Sequence, residues 1–142
     1  MSQSVGYAGD VSPGAAWSSL ADNVDAQLVD VRTIAEWAYV GLPDLSGLGK
    51  ELITVEWKQF PAMSVNDGFV DAVAATGVKR GAALYFLCRS GVRSRDAAIA
   101  MTARGFGPCF NIANGFEGDH DQQGHRGTVG GWKVEGLPWK QG

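Results

Sequence analysis

The chain is 142 residues long, 45% hydrophobic and 19% charged, a globular balance that excludes disorder as the default and is large enough to bury roughly two-thirds of the unfolded surface without disulfide or metal staples. Its 12 Lys and Arg against 15 Asp and Glu leave a net charge of -3, which argues against a globally basic nucleic-acid binder, and no apolar run approaches the roughly 18 residues of a membrane helix. Met1–Asp10 has neither a basic nor an apolar leader region and the two cysteines lack C-x-x-C spacing, so reduced cytoplasmic thiols are expected rather than secretion, a zinc ribbon or a thioredoxin-type pair.

Ser12-Pro13 predicts the start of a helix running to about Ala21, because Ser caps free amides and Pro fits the first helical position. Trp17 and Leu20 are its expected buried side chains. Gln27–Val31 reads as a short apolar strand. Thr33-Ile34-Ala35-Glu36 is a capping box, T-x-x-E, opening a short helix to about Val40. Gly41-Leu42-Pro43 ends that helix, and 43–50 reads as loop. Leu52–Trp57, with β-branched Ile53, Thr54 and Val55, predicts a strand. A helix is expected from Asn66 or Asp67, carrying Phe69, Val70, Val73 and Ala74 at helical spacing.

Ala82–Leu87 is a continuous apolar run of strand length, as in a central parallel strand covered on both faces. It is followed by C-R-S-G-V-R-S and then by an alanine-rich, helix-prone stretch, Arg95–Arg104, ended by Gly105. Cys109–Ile112 reads as the last strand. The glycine-rich segment Asn114–Gly131, which holds both histidines, reads as a long ordered loop, after which Trp132–Trp139 packs back on the core. Strands and helices alternate with connections too long for hairpins. The expected class is therefore α/β, a mostly parallel central sheet flanked by helices on both faces with right-handed crossovers, in one domain without repeat or linker.

Chemistry concentrates between Leu84 and Arg95. The carboxyl end of a central strand facing the amino end of the next helix is where open α/β sheets bind ligands. Cys88 is the first residue there, and Ser90, Gly91 and Val92 can turn their N–H groups inward as an anion nest, with Arg89, Arg93 and Arg95 supplying positive charge. A helix N-terminus and adjacent cations favour a thiolate. The same donors would hold an oxyanion or a persulfide, so the residues alone leave several anion chemistries open.

The run C-R-S-G-V-R-S after L-Y-F-L resembles the active-site loop of the rhodanese (sulfurtransferase) family. Leu28-Val29-Asp30-Val31-Arg32 with Glu36-Trp37 is similar to that family's opening motif, and Asn111-Ile112-Ala113-Asn114-Gly115-Phe116 and Trp132 with Gly136-Leu137-Pro138 resemble its closing segments. The motifs follow the family's order over about residues 26–138, the expected domain core, with 117–131 as a loop insertion bordering the site's mouth. The resemblance implies a sulfurtransferase in which Cys88 takes sulfur from a donor such as thiosulfate or a persulfide and passes it to cyanide, a thiol or a protein thiol. It further implies that Arg89 and Arg93 attract the donor's sulfonate and that the amides of Arg89, Ser90, Gly91, Val92, Arg93 and Ser94 hold the persulfide. Asp30, Arg32, Phe116 and Trp132 would surround the site, Phe116 and Trp132 lining its mouth. No metal, cofactor, nucleic acid or membrane is implied.

Two other readings are weighed. Cysteine phosphatases and arsenate reductases use a loop one residue longer with arginine sixth after the cysteine; here the sixth residue is Ser94 and the arginine, Arg93, is fifth. A binding or sensing module with little turnover is the other, against which stand the retained cysteine and loop arginines. The family's G-H-I-P-G-A is replaced by Gly41-Leu42-Pro43-Asp44-Leu45, and Asn114 stands at the first glycine of its closing G-G, where Asn tolerates the left-handed region. Cys109 is expected in the core, Arg32 in hydrogen bonds and a pair with Glu36, and Asp119, His120, Asp121 and His125 in a solvated loop, not a metal site.

Overall fold

The computed structural model describes residues 6–59, 62, 64–118 and 130–140. In chain order the elements begin with β1 (Gly9–Val11), α1 (Pro13–Asp22), β2 (Gln27–Asp30), α2 (Ile34–Tyr39) and β3 (Leu42–Pro43). A 3-10 turn (Ser46–Leu48), β4 (Ile53–Thr54), β5 (Lys58–Gln59), β6 (Ser64–Val65) and α3 (Phe69–Ala75) follow, then β7 (Leu84–Leu87), α4 (Val92–Ala103), β8 (Cys109–Ile112) and β9 (Trp139–Lys140). The main sheet runs β1-β8-β7-β2-β4 with every neighbouring pair parallel.

The local chemistry of α1 and α2 is as expected. Ser12 accepts from the Ala15 N–H with Pro13 in the first turn, and Thr33 and Glu36 form the reciprocal capping box. All four residues of β7 are buried, and the two-residue period of a strand sends them alternately to opposite faces. Leu84, Phe86 and Cys88 join Phe69 and Val73 of α3 and Ala97, Ala98 and Met101 of α4. Tyr85 and Leu87 join Leu28, Ala16 and Leu20 of α1, Phe116 and Trp132. Helices cover both faces of an α/β sheet.

The structure departs from the sequence reading at several places. The sheet begins well before residue 26, because β1 pairs with β8, while Leu20 of α1 is buried as expected. The strand expected over Leu52–Trp57 is reduced to β4; the Val55 and Trp57 amides still bond to Asp30 and Val31, but the chain bends away. The helix expected from Asn66 begins at Phe69, because the Asn66 side chain accepts from the Gly68 N–H and holds a turn. A short antiparallel pair, β5 with β6, does exist. Leu42-Pro43, read as helix end and loop, is a strand pairing antiparallel with β9, so Cys109–Ile112 is not the last strand. Gly41 explains the close approach: a Cβ there would lie 2.8 Å from the Lys140 carbonyl oxygen and from the Trp139 ring.

After β8 the chain turns sharply at Asn114 and Gly115. Asn114 has φ 65°, the one positive value of a non-glycine among the described residues, and so fills the left-handed position expected of it. Gly115 lies against the turn after β7: an added Cβ would meet the Cys88 carbonyl oxygen at 2.3 Å and the Arg89 carbonyl carbon and oxygen at 2.7 Å. Those are backbone atoms and cannot step aside. Gly115→Ala is therefore expected to lower stability by roughly 2 kcal/mol or more, measured by urea unfolding; a loss below about 0.5 kcal/mol, the range of an unconstrained surface site, would contradict this contact.

Candidate active site

The turn after β7 is shorter than the sequence suggested. The helix begins at Val92, not Arg95, so only Cys88–Gly91 form the turn, and Val92, Arg93 and Ser94 are the first turn of α4. Gly91 makes this possible with φ 112°, a left-handed conformation that directs the chain from strand to helix. The first amides of a helix have no intrahelical acceptor, and that of the cap residue, Gly91, reaches the sulfur. Cys88 is 1% exposed. Its Sγ accepts from the Gly91 N–H at 3.1 Å and lies 3.2 Å from the Ser94 hydroxyl.

Strand alternation places Asn111 of β8 on the same sheet face as Cys109 and towards α4, and its Oδ1 lies 2.5 Å from Ser94 Oγ. Asn111 Nδ2 donates to Asp10 of β1, whose carboxylate also accepts from the Tyr7 hydroxyl. Asn111, Asp10 and Tyr7 were not singled out in the sequence. The available signal was a lone amide inside the buried run C-F-N-I, since a buried polar group needs a partner.

The arginines divide into separate tasks. Arg89 is exposed at the turn. Arg93 donates twice to Glu36 of α2, at 2.7 and 3.0 Å, with both side chains largely buried. Burial pushes the Glu36 carboxyl up, but the Arg93 hydrogen bonds and charge outweigh it and leave it below its ordinary range. Burial likewise opposes the Arg93 charge, yet Glu36, and secondarily Cys88, raise it further. Arg32 does not pair with Glu36: it folds back on Asp30, two residues away on the same strand face, in a fully buried bidentate pair. It also donates to the Gly41 carbonyl and stacks 4.3 Å from the Phe116 ring centroid. Arg95 is exposed on α4, and Arg104 reaches Asp71 at the surface.

Phe116 and Trp132 are both 0% exposed and belong to the core on the α1 face, so neither lines an open mouth. Phe116 touches the turn instead through its backbone, donating to the Cys88 carbonyl at 2.8 Å, while Glu117 and Gly118 donate to that of Arg89. The base of the 117–131 insertion thus abuts the turn, and the returning chain bonds Trp132 N–H to the Gly115 carbonyl and Lys133 N–H to that of Phe116. Asp119, His120, Asp121 and His125 lie outside the described residues, among which no cluster of three or more metal-ligating side chains occurs. Cys109 stands opposite Leu84, four residues back from Cys88 along the sheet, about 13 Å at strand rise, and burial raises its thiol's pKa, which holds it neutral. It is a core residue. A cleft of about 660 Å³ lined by Asp22, Asp25, Lys79 and Pro108 opens at the opposite end of the strands, away from the sulfur.

A family model described as the STR4 middle domain matches residues 8–142. A protein of Allochromatium vinosum described as a sulfurtransferase is 30% identical over 119 residues, 84% of this chain and 82% of that one. The crystal structure of Rv0390 from M. tuberculosis has a TM-score of 0.87 at 48% identity, covering 96% of this chain and 99% of that one. A rhodanese-like domain protein from Staphylococcus aureus shares the fold with a TM-score of 0.52 at 19% identity, over 76% of this chain and 87% of its own.

The Glu36–Arg93 bridge carries a pH signature. A carboxyl held below its unfolded value stabilises the fold above about pH 4.3, and that stabilisation disappears as pH falls through the folded value. Glu36→Gln should unfold about 1–2 kcal/mol more easily than wild type at pH 7, with the gap closing below about pH 4. A gap of unchanged size at acid pH, in unfolding monitored by circular dichroism, would mean that the bridge is not its source.

Proposed function

As the chain belongs to the STR4 middle-domain family and has a rhodanese-like fold, we propose that it is a sulfurtransferase working through a persulfide on Cys88. The observation that carries the reading is the sulfur itself: a buried Sγ at the carboxyl end of the central strand, facing the first turn of α4 and taking a hydrogen bond from the Gly91 N–H. Helix amides so placed stabilise negative charge. A cysteine serving only as core filler needs no donors around it.

In the proposed reaction the Cys88 thiolate attacks the outer sulfur of thiosulfate. The donor's S–S bond breaks, its electron pair leaves on sulfite, and Cys88 carries a persulfide anion whose charge the turn's free amides hold. A thiophilic acceptor, cyanide in assay or a thiol or protein thiol, then takes the outer sulfur and regenerates the thiolate. The displacement is split into two easier ones. Arg89, exposed beside the turn and without an ion-pair partner among the described residues, is the cation that meets the donor's sulfonate in this reading. Arg93, held by Glu36, acts on the sulfur through its field rather than by reaching out. A reduced compartment such as the cytoplasm fits the two free thiols.

The phosphatase alternative loses support from the same contacts. Wrapping an arginine around a tetrahedral oxyanion needs a guanidinium free to close on it, and that of Arg93 is committed to Glu36. The reading is tested by incubating the protein with thiosulfate, removing excess and weighing it intact. Wild type should gain one sulfur atom and lose it to cyanide, and Cys88→Ala should gain none. Absence of the adduct on wild type, or its survival in Cys88→Ala, would contradict the proposal, and turnover of an aryl phosphate would favour the alternative.

A further inference from the structure

A hydroxyl has one proton to give. Ser94 Oγ faces two acceptors, Cys88 Sγ at 3.2 Å and Asn111 Oδ1 at 2.5 Å. The Asn111 amide is not free to turn. Asp10 stands opposite it across the β1–β8 ladder and accepts from Asn111 Nδ2 at 3.0 Å through the same oxygen that accepts from the Tyr7 hydroxyl at 3.0 Å. A carboxylate only accepts, so it holds the amide N–H towards itself and the amide oxygen towards Ser94. Burial and the Asp10 contact raise the Tyr7 phenol above its ordinary ionisation range, keeping it a donor.

We propose that Asn111, oriented by Asp10, is a positioning residue for the reactive sulfur: it competes with Cys88 for the single Ser94 proton and so sets how well Ser94 stabilises charge on Sγ. The proposal rests on the reading of Cys88 as the nucleophile. With a neutral thiol, the line is fully satisfied: Cys88 S–H donates to Ser94, Ser94 to Asn111, and Asn111 to Asp10. With a thiolate, Ser94 turns to the sulfur and the buried Asn111 oxygen loses its donor, a cost set against ionisation. Once charge has passed to a transferred outer sulfur, Sγ no longer requires the proton and Asn111 regains it. The line therefore restrains the free thiolate and favours the sulfur-loaded state.

Other charges also face Cys88. They are Arg93 of α4 with Glu36 of α2, the Asp30–Arg32 pair at the end of β2, Arg89 in the turn, and Asp10 of β1 with Tyr7 just before that strand, the last within the field of Arg95. None of these pairs bonds to Ser94. An effect of Asn111 that passes through Ser94 can thus be separated from simple electrostatics.

The test is the pH dependence of Cys88 alkylation by iodoacetamide, followed by peptide mass, in wild type, Ser94→Ala, Asn111→Ala and the double variant. Asn111→Ala should move the midpoint down by about one pH unit, because the hydroxyl is released to the sulfur. Ser94→Ala should move it up, and the double variant should match Ser94→Ala alone. Should Asn111→Ala fail to fold, Asp10→Asn on the exposed edge strand serves instead: its amide can donate to the Asn111 oxygen and let that amide reverse. Its midpoint should then fall more in the wild-type background than with Ser94→Ala. Equal shifts in both backgrounds, no shift, or an upward shift would overturn the proposal. Alkylation needs no sulfur donor, so this pattern in a protein that takes no sulfur from thiosulfate would sink the reaction proposed above and leave the positioning role standing; a sulfur adduct without the pattern would do the reverse.

Discussion

A sulfur atom that is to carry charge must be buried enough to exclude water and still be surrounded by donors. The β7–α4 junction meets both demands at one residue. The two-residue period that sends Leu84 and Phe86 into the α3–α4 core carries Cys88 to the same face, where the strand has ended and the helix amides begin. Gly91, in a conformation closed to most side chains, makes the junction tight enough for its own N–H to reach Sγ. Gly115 supports it from behind, leaving room for the Cys88 and Arg89 carbonyls, which accept from the Phe116, Glu117 and Gly118 amides. The backbone around the sulfur is thus tied to the closing turn, which holds its amides in place.

Charge is distributed around this junction by pairing. The Asp30–Arg32 pair is entirely buried, with two nitrogens on the carboxylate, a third contact to Gly41 and the Phe116 ring against its flat face, while Arg32 Nη1 has no hydrogen-bond partner among the described residues. Removing one partner would leave an uncompensated buried charge, a loss on the order of 3–5 kcal/mol, whereas the intact pair adds little net stability. Its evident structural task is to fix the end of β2 against the β3–β9 pair. Glu36 does the same for Arg93, tying the first turns of α2 and α4 together. Arg93 is thus a paired cation beside the sulfur, whereas Arg89 is exposed and has no ion-pair partner among the described residues.

Much of this was legible in the sequence, and the exceptions share a cause. Local signals with a backbone mechanism were readable: the Ser12-Pro13 cap, the Thr33–Glu36 box, the unbroken apolar run of β7, and Asn114 in a left-handed position. The C-R-S-G-V-R-S motif located Cys88 but not the start of α4, because glycine in a left-handed cap lets a helix begin in a stretch that reads as loop. What went unread depends on long-range pairing. β1 and β9 are three- and two-residue strands whose identity comes from their partners, β8 and β3. Arg32 was expected to pair with Glu36, but Glu36 is taken by Arg93 from a distant helix and Arg32 folds onto Asp30, an assignment that no local signal carries. Phe116 and Trp132, large aromatics near a motif, are drawn into the α1 core by burial rather than left at a mouth.

The account stands or falls on where a transferred sulfur atom resides. A crystal structure of the protein treated with thiosulfate tests this most directly. The account predicts density for one additional sulfur bonded to Cys88 Sγ and directed at the free amides of the first turn of α4. Bare Cys88 with an intact thiosulfate bound elsewhere, or additional sulfur on Cys109, would contradict it.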